Sequence, residues 1–272
     1  MSNPSSQDRD AMAEFFAACC VEVGAVVMEV FSSAKIESRI KGDDSPVTQA
    51  DERAEALLLE RLAHALPDLP IIAEESAARG ETPSQDGRFL LVDPLDGTRE
   101  FLARRPEFTI NIGFIENGEP KAGAVYAPAL GEIWFAGAKA FRAKASPGYA
   151  LPPLGARRLL RTRTRPTDGL TALVSRSHLD PQTEAFLARL KIRERIDAGS
   201  SLKFCRIAEG SADIYPRFGP TMEWDTAAGD AVLRAAGGVV LTPEGAPFRY
   251  GKRAQNYRNG PFIAYGAPVC EA

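Results

Sequence analysis

Residues 90–101 read LLVDPLDGTREF, an apolar run that ends in two aspartates three residues apart. The apolar residues 89–92 are typical of a buried strand. Asp-Pro and Asp-Gly are turn-forming pairs, so we expect residues 93–96 to form a β-turn where the strand ends. Because such a turn brings its first and fourth Cα atoms within about 7 Å, the carboxylates of Asp93 and Asp96 should converge on one point.

Two carboxylates held together at the end of a buried strand repel each other and raise each other's pKa unless a cation lies between them. The neighbouring donors are also oxygen atoms, namely the Leu95 carbonyl and the Thr98 hydroxyl. Oxygen donors favour a hard divalent cation, so we expect Mg²⁺ in preference to Zn²⁺. The stretch is therefore predicted to bind a cation as well as to turn the chain.

Further acidic residues lie where other predicted elements begin or end. Glu74 and Glu75 follow the short apolar strand of LPIIAEES. Asp51 lies in the first turn of a helix predicted over residues 50–66, and Asp225 opens the helical segment DTAAGDAVLRAAGG. Taken singly, Asp225 could be a helix N-cap and the two glutamates could be solvated loop residues. Because α/β proteins place ligand sites at strand ends and helix starts, the common placement predicts one acidic site.

Upstream of this stretch, residues 11–31 form a long apolar segment that carries Glu14, Glu22 and Glu29. At about 100° per residue, the three glutamates fall within roughly 80° of one another on a helix. Each carboxylate would cost about 2 to 3 kcal/mol or more at the centre of a bilayer. We therefore expect an amphipathic helix with a broad buried face and no transmembrane segment.

Downstream, residues 108–136 alternate apolar strands with tight turns, and Asn117-Gly118 is a strong hairpin signal. This pattern predicts an antiparallel meander. Residues 145–169 contain four prolines and five arginines, and short strands alternate with helices beyond them. We therefore place a boundary here, between an N-terminal α+β half (residues 1–155) and a C-terminal α/β half (residues 156–272) that together form one catalytic unit.

Composition limits the partners that we expect. The 272 residues include 33 basic and 36 acidic residues, with a formal net charge of −3, so no general attraction to nucleic acid or to an anionic membrane is expected. The arginines of residues 157–165 could attract a phosphorylated ligand, but a solvated basic edge is the preferred interpretation. Four cysteines without a CxxC pair or a disulfide framework favour a reducing cytoplasm.

The motifs resemble those of the lithium-sensitive, magnesium-dependent phosphatases related to inositol monophosphatase. The matching residues are Asp51, Glu74-Glu75, DPLDGT at residues 93–98, and Trp224-Asp225. Within that superfamily, SPVTQAD, DPLDGTREF, VSRSH, GSSLKFC, YPRFGPT and WDTAAG are similar to the CysQ-type 3'(2'),5'-bisphosphate nucleotidases. Charged residues after DGT, here Arg99-Glu100, point to this branch, whereas inositol monophosphatases usually have DGTTNF. The resemblance covers about residues 41–240 and implies a layered αβαβα sandwich.

The resemblance also implies a ligand set for two or three Mg²⁺ ions. One ion would be held by Glu74, Asp93 and the Leu95 carbonyl, a second by Asp93, Asp96 and Asp225, and a third, weaker ion would lie near Glu74 and Asp51. The N-terminal half would thus carry most of the metal ligands.

Catalytic and substrate-binding roles follow from the same resemblance. Thr98, hydrogen-bonded to Asp51, would orient the attacking water, so Asp51, Thr98 and Glu74 are the expected catalytic residues. Backbone N–H groups of Gly97 and Thr98 would bind phosphate oxygens where they open a helix. The C-terminal half would contact the second phosphate and the nucleoside through His178, Ser200, Lys203 and Arg217. Two of these, Lys203 and Arg217, could instead be ordinary helix-surface and strand-end charges.

The expected activity is Mg²⁺-dependent hydrolysis of the 3'-phosphate of adenosine 3',5'-bisphosphate to AMP and phosphate, with 3'-phosphoadenylyl sulfate as a further candidate substrate. One alternative is an inositol monophosphatase or another sugar phosphatase. Another is a nucleotide-binding protein on the same scaffold, although binding alone would not need the pair Asp51 and Thr98. The resemblance implies a role in sulfur metabolism and inhibition by lithium. The expected location is the cytoplasm, with peripheral inner-membrane association and the oligomeric state left open.

Overall fold

The computed structural model describes residues 5–42, 46–176 and 179–267. These residues form seven α-helices: α1 (Ser6–Phe31), α2 (Gln49–Ala65), α3 (Glu74–Ala78), α4 (Thr98–Leu102), α5 (Pro181–Leu187), α6 (Leu202–Ala208) and α7 (Ala227–Ala235). They also form fourteen strands: β1 (Ser38–Ile40), β2 (Pro46–Thr48), β3 (Ile71–Ala73), β4 (Arg88–Asp96), β5 (Thr109–Glu116), β6 (Glu119–Ala127), β7 (Glu132–Ala136), β8 (Ala140–Lys144), β9 (Arg158–Leu159), β10 (Leu170–Ser175), β11 (Ile192–Ala198), β12 (Ile214–Arg217), β13 (Val239–Leu241) and β14 (Phe262–Tyr265).

Two large sheets contain most of the strands. Strands β3 to β9 form a seven-stranded sheet in chain order, which is antiparallel except for the β3–β4 pair. The other sheet has the order β11-β10-β12-β14-β13, and β10 is parallel to both of its neighbours. Asn117 and Gly118 adopt φ values of 52° and 75° between β5 and β6, as a two-residue hairpin requires. The predicted meander is confirmed.

The elements stack in five layers. Helices α1 and α2 cover one face of the seven-stranded sheet. Helices α6 and α7 fill the space between its other face and the five-stranded sheet, and α5 packs on the far face of that second sheet. Three apolar clusters fill the four interfaces between layers, and one of them extends across both faces of the layer formed by α6 and α7. The layered αβαβα prediction is confirmed.

Helix α7 packs very closely on the seven-stranded sheet because the sheet presents glycines to it. A Cβ atom at Gly113 would lie 2.8 Å from the Cβ of Ala227, and one at Gly123 would lie 2.9 Å from the Cα of Ala228. Real Cβ atoms do not approach carbon atoms so closely, so any side chain at these positions would displace the helix. This packing holds the start of α7 against β5 and β6.

Helix α1 begins five residues earlier than the apolar pattern predicts, at Ser6. Ser5 and Asp8 form a capping box, in which Ser5 Oγ accepts a hydrogen bond from Asp8 N at 3.2 Å and Asp8 Oδ2 accepts one from Ser5 N at 2.9 Å. The capping groups stabilise a polar first turn that has no apolar periodicity.

By length and composition alone, α1 is apolar enough to cross a membrane, and it is the one such helix in the described part of the chain. Its apolar face packs on β6, β7 and α2. Its three central glutamates each pair with an arginine of another segment, with N–O distances of 2.6, 2.7 and 2.7 Å for Glu14–Arg157, Glu22–Arg61 and Glu29–Arg53. These contacts are those of an amphipathic core helix.

The chain passes from one sheet to the other through residues 160–169. Strand β9 pairs with β8, so the seven-stranded sheet extends slightly beyond residue 155, and the five-stranded sheet begins with β10. Arg157 and Arg163 in this region make ion pairs with Glu14 and Asp213. The division into two halves at residues 155 and 156 stays a prediction.

Candidate active site

Strand β4 continues through the stretch for which the sequence predicts a β-turn. Asp93 pairs with Asn111 of β5 and Asp96 pairs with Thr109, so β4 has one more residue than β5 between these pairs. The predicted turn is therefore wrong. The chain forms a β-bulge instead, because hydrogen bonding to β5 resumes beyond Pro94. The bulge places both aspartates on the wall of one cavity.

This cavity lies between the end of β4 and the elements that follow residue 175, and its volume is about 220 Å³. Ten of the residues predicted for the site line it: Glu74, Asp93, Leu95, Asp96, Gly97, Thr98, Ser200, Lys203, Arg217 and Asp225. Asp51 lies behind Thr98, to which it is hydrogen-bonded. His178 lies outside the described residues. The arginines of residues 157–165 do not line the cavity.

Asp93 is the most deeply buried carboxylate of the cavity, with 1% of its surface exposed. Its Oδ1 accepts a hydrogen bond from Leu95 N at 3.0 Å, whereas its Oδ2 is buried without a hydrogen-bond partner. Burial raises the pKa of Asp93 well above its usual range, and the charges of Glu74, Asp96 and Asp225 raise it further. A buried, unpaired carboxylate oxygen is costly, so this atom calls for a cation or a proton.

The other three acidic residues respond to the same environment. Burial, and then the charges of Asp96 and Glu74, raise the pKa of Asp225 well above its usual range. Burial raises the pKa of Glu74 to about 7. Burial also raises the pKa of Asp96, although the ammonium of Lys203 opposes this rise. The four carboxylates therefore share one electrostatic site, although they come from separate parts of the chain.

Asp225 is not the N-cap of α7, a role that remains possible for it from the sequence alone. Thr226 is the N-cap of α7, and Asp225 Oδ2 accepts a hydrogen bond from Met222 N at 2.8 Å. The carboxylate of Asp225 remains on the cavity wall. The interpretation of Asp225 as a helix N-cap is therefore wrong.

Lys41 is a charged neighbour of the acidic residues that sequence reasoning missed. Its Nζ lies 2.6 Å from Glu74 Oε1 and 2.9 Å from Glu75 Oε1. In the described residues, no group of three acidic, His or Cys side chains encloses a metal position by itself. The sequence has no signal for the contact, because a lysine in the polar segment KGDDSP is typical of an exposed turn.

The donor set nevertheless fits a hard divalent cation. Asp93 Oδ2 is an orphaned buried acceptor, and Glu74, Asp96 and Asp225, which act on Asp93 electrostatically, supply the carboxylate oxygens that Mg²⁺ prefers. The two positive charges of a divalent ion would offset part of the repulsion among the four acids in this cavity. The residues that could hold it are Glu74, Asp93, Asp96, Asp225 and the carbonyl of Leu95.

Asp51 connects the first turn of α2 to Thr98. Its Oδ2 accepts hydrogen bonds from Thr48 N and Thr48 Oγ1 at 2.8 and 2.7 Å, which forms a capping box. Its Oδ1 accepts one from Thr98 Oγ1 at 3.2 Å. Burial raises the pKa of Asp51 to about 6, while the bonds from Thr48 oppose this rise. The carboxylate is thus mostly ionised at pH 7 and above.

The same cavity also carries two buried cations. Lys203 is 3% exposed, and its Nζ donates to the Ser200 carbonyl at 2.7 Å and to the Ala198 carbonyl at 3.2 Å. Arg217 is 6% exposed and donates to the carbonyl oxygens of Gly219 and Pro220 at 3.3 and 2.8 Å. Lys203 is therefore not a helix-surface charge, and Arg217 lies at a strand end but is buried. Burial lowers the pKa of Lys203 to about 8.

Two serines beside these cations have unusual surroundings. Ser200 adopts a φ of 49°, and its Oγ is buried without a hydrogen-bond partner. Ser201, which sequence reasoning missed, donates from Oγ to the Asp225 carbonyl at 2.5 Å and accepts from Asn111 Nδ2 at 3.2 Å. Ser201 thus connects Asn111 of β5 to Asp225, the acidic residue that the C-terminal half contributes to the cavity.

We expect the metal-free protein to lose stability as pH rises from about 4 to about 7. The folded pKa values of Asp51 and Glu74 are about 6 and about 7, above the usual 3.8 and 4.5. Between the usual and the raised values the folded state binds more protons than the unfolded state, so its stability decreases with pH. Ionisation of Asp51 alone should lower the free energy of unfolding by about 3 kcal/mol, which corresponds to a fall in Tm of roughly 6–12 °C.

Thermal melts with and without Mg²⁺ across this pH range measure the effect. Because a bound cation would replace the protons, the stabilisation by Mg²⁺ should grow with pH. An Asp51→Asn variant should show a flatter profile without metal. A stabilisation by Mg²⁺ that is the same at pH 5 and pH 8 would contradict the prediction.

The model of the inositol monophosphatase family matches residues 8–263 of the chain. The chain belongs to the inositol monophosphatase family. Proteins of this family are metal-dependent. The family and the fold expected from the sequence are both confirmed.

Several family members resemble the chain over most of its length. The 3'(2'),5'-bisphosphate nucleotidase CysQ of Salmonella typhimurium is 42% identical over 233 residues, which cover 85% of this chain and 90% of that protein. CysQ of Escherichia coli K12 is 40% identical with the same coverage. The crystal structure of CysQ from Bacteroides thetaiotaomicron, described as a bacterial member of the inositol monophosphatase family, superimposes with a TM-score of 0.79. It is 34% identical and covers 95% of this chain and 98% of that chain.

Proposed function

We propose that this protein is a Mg²⁺-dependent 3'(2'),5'-bisphosphate nucleotidase that converts adenosine 3',5'-bisphosphate to AMP and phosphate. The observation that carries the proposal is the buried Oδ2 of Asp93, which has no hydrogen-bond partner and lies among Glu74, Asp96 and Asp225. The relatives named CysQ, at about 40% identity, support the nucleotide as the substrate class. 3'-Phosphoadenylyl sulfate is a second candidate substrate.

The acidic wall of the cavity would hold two or three Mg²⁺ ions through Glu74, Asp93, Asp96, Asp225 and the Leu95 carbonyl. When bound, Mg²⁺ lowers the pKa of water and neutralises charge on the phosphoryl group. The protein contributes the positions of the carboxylates: the bulge of β4 positions Asp93 and Asp96, and the segment before α7 positions Asp225. Glu74 is the first residue of α3.

Thr98 and Asp51 would orient the water that attacks phosphorus. Asp51 Oδ2 already accepts two hydrogen bonds from Thr48, so Oδ1 is the oxygen that accepts from Thr98 Oγ1. Thr98 Oγ1 has one hydrogen and two acceptors within reach, Asp51 Oδ1 at 3.2 Å and the Leu95 carbonyl at 3.3 Å. The charged Asp51 is the stronger acceptor, and donation to it leaves the Thr98 lone pairs available to a water in the cavity. These lone pairs accept a hydrogen from the water and so direct its oxygen toward the substrate.

Lys203 and Arg217 would select a substrate with a second phosphate. Both are buried cations that line the cavity, a costly arrangement that an anionic substrate would compensate. Ser200 and His178 are proposed to contribute to the same subsite, and the N–H groups of Gly97 and Thr98 to contact the scissile phosphate.

A single comparison of substrates tests the proposal. Phosphate release is measured with Mg²⁺ from adenosine 3',5'-bisphosphate, 3'-AMP and inositol 1-phosphate at equal concentrations. We expect the bisphosphate to give the highest kcat/KM, at least about tenfold above 3'-AMP, because one buried charged contact contributes about 1.5 to 3 kcal/mol. Metal removal with EDTA should abolish release, and added Mg²⁺ should restore it.

The other outcomes identify the alternatives. Faster release from inositol 1-phosphate would favour a sugar phosphatase. Nucleotide binding without release from any of the three substrates, in protein loaded with Mg²⁺, would favour a binding protein on the same scaffold. Equal kcat/KM for the bisphosphate and 3'-AMP would contradict the proposed role of Lys203 and Arg217.

A further inference from the structure

The segment that carries Asp225, residues 220–226, lies between two anchoring contacts, and we call it the Asp225 loop. On one side, Ser201 Oγ donates a hydrogen bond to the Asp225 carbonyl at 2.5 Å. On the other side, the loop contacts residues 251–259, which precede β14. The Tyr257 carbonyl accepts from Glu223 N at 2.8 Å, and Asn259 N donates to the Thr221 carbonyl at 2.9 Å. The loop is therefore held from both sides.

The Asn259 side chain makes the most contacts with this loop. It is 7% exposed, and its Nδ2 lies 2.7 Å from the Met222 carbonyl. The same nitrogen lies 3.1 Å from both Thr221 Oγ1 and Thr226 Oγ1. One amide group thus contacts the loop before and after Asp225.

The orientation of the amide follows from its partners. Met222 presents a carbonyl oxygen, which only accepts hydrogen bonds, so the Asn259 atom facing it must be the NH₂ group. Lys252 Nζ, which only donates, lies 3.2 Å from Asn259 Oδ1. Both ends of the side chain are therefore matched, and an exchange of nitrogen and oxygen would break both contacts.

Glu223 reinforces this anchor from inside the loop. It is fully buried, and its carboxylate accepts hydrogen bonds from Gly251 N at 2.8 Å and from Lys252 N at 2.9 Å. It also accepts from Lys252 Nζ at 3.0 Å, and the same ammonium contacts Asn259. The network joins the loop to residues 251–259 and satisfies the buried carboxylate of Glu223.

The Met222 backbone transmits this anchoring to Asp225. Its carbonyl accepts from Asn259 Nδ2 and also from Asp225 N at 3.2 Å, while its N–H donates to Asp225 Oδ2 at 2.8 Å. The position of the Asp225 carboxylate therefore depends on Met222, and the position of Met222 depends on Asn259.

We infer that Asn259 is a positioning residue that holds the Asp225 loop in place and thereby sets the affinity of the acidic cavity for divalent cations. Asn259 does not line the cavity, so it acts through the loop. The inference rests on the proposed function in one respect, namely that Asp225 is a cation ligand.

Titration calorimetry with Mg²⁺ on the full-length protein tests the inference. Asn259→Asp keeps the shape of the side chain but replaces the NH₂ donor with an oxygen facing the Met222 carbonyl. We expect the Kd for Mg²⁺ to rise about tenfold, the loss typical of one or two buried hydrogen bonds. At saturating Mg²⁺, kcat should stay within about twofold of wild type, because no group that contacts substrate has changed.

A matched control separates positioning from general destabilisation. Asp213 is also a buried polar residue whose side chain accepts hydrogen bonds, from Arg163 and from Thr171 N, but it lies just before β12, at the opposite end from Arg217. Asp213→Asn should lower Tm while leaving the Kd for Mg²⁺ at the wild-type value. If Asn259→Asp does not fold, Thr221→Val removes one acceptor of the same amide and should raise the Kd about threefold.

Each outcome bears on a different claim. Wild-type affinity for Mg²⁺ in the folded Asn259→Asp variant, or in Thr221→Val where that variant is used, would overturn the inference. An equal loss of affinity in Asp213→Asn would overturn it as well, because the effect would then be general. If wild type binds Mg²⁺ but releases no phosphate from any substrate, the proposed function fails, whereas the calorimetric comparison still decides the role of Asn259.

Discussion

The Asp93→Asn variant is expected to release phosphate at least about a thousandfold more slowly than wild type at saturating Mg²⁺. Asp93 is the central carboxylate of the cavity, and the other three acids surround it. An asparagine keeps the shape but removes the charge that would hold the cation. A loss of about 4 kcal/mol in transition-state stabilisation corresponds to this factor, and metal ions contribute several kcal/mol in such reactions.

The same variant should be more stable than wild type when metal is absent. Burial and neighbouring carboxylates raise the pKa of Asp93, so its ionised form destabilises the folded state above the usual pKa. The asparagine side chain of the variant has no charge to bury, and Tm in EDTA at pH 8 should therefore rise. A thermal melt and a phosphate-release assay on one preparation measure both effects.

Glu132→Gln is the matched control for Asp93→Asn, and its expected effects on Tm and on activity differ from those of that variant. Glu132 is also buried, but it pairs with Arg142 and Lys144 at 2.6 Å. Hydrogen bonds from both cations and the charges of Arg142 and Arg206 lower the pKa of Glu132 despite its burial. Removing its charge should lower Tm and leave kcat unchanged. Full activity in Asp93→Asn, or equal losses in the two variants, would contradict the cation site.

Thr98→Val is expected to lower kcat about a hundredfold, with KM changing by less than about threefold. Valine has the shape of threonine but cannot accept a hydrogen bond from water, and general acid–base and orientation effects contribute about this factor. Asp51→Asn should have a similar effect, because the amide no longer ensures that Thr98 donates its hydrogen away from the cavity.

The double variant should be no slower than the slower single variant, since the two residues act as one unit. Thr242→Val is a suitable control, because its Oγ1 is also buried but has no hydrogen-bond partner and lies beyond β13. Multiplicative losses in the double variant would show that Thr98 and Asp51 act separately. Such a result would remove the water-orienting role from the pair.

Much of the fold could be predicted from local patterns. The Asn-Gly hairpin, the helix with Asp51 in its first turn and the strand that precedes Glu74 all depend on contacts within a few residues, and each occurs where the sequence predicts it. The prediction of a β-turn at residues 93–96 is wrong because it also considers only local contacts. Turn propensity is local, whereas pairing with β5 is a long-range contact that overrides it.

The acidic site could be predicted only in outline. Topological rules place ligand sites at the ends of strands and the starts of helices, which is why Glu74, Asp93 and Asp225 could be grouped. The contacts of Lys41, Ser201 and Asn259 with that group depend on segments far away in sequence, and each residue type is common in surface turns. Their positions can be recognised only in three dimensions.

The glycines beneath α7 also limit how the protein can change. At Gly113 and Gly123 the sheet meets backbone atoms and alanine methyl groups of the helix, which have no rotamers, so no rotamer change can absorb a shift between them. The distance between Asp93 on β4 and Asp225 before α7 is therefore fixed by the packing of the main chain. A single added methyl group at Gly123 would widen it, and a displacement approaching about 1 Å at a reacting centre can reduce a rate about a hundredfold. Substitutions should therefore be tolerated far more readily in the outer helices α1, α2 and α5 than at the contact of α7 with Gly113 and Gly123.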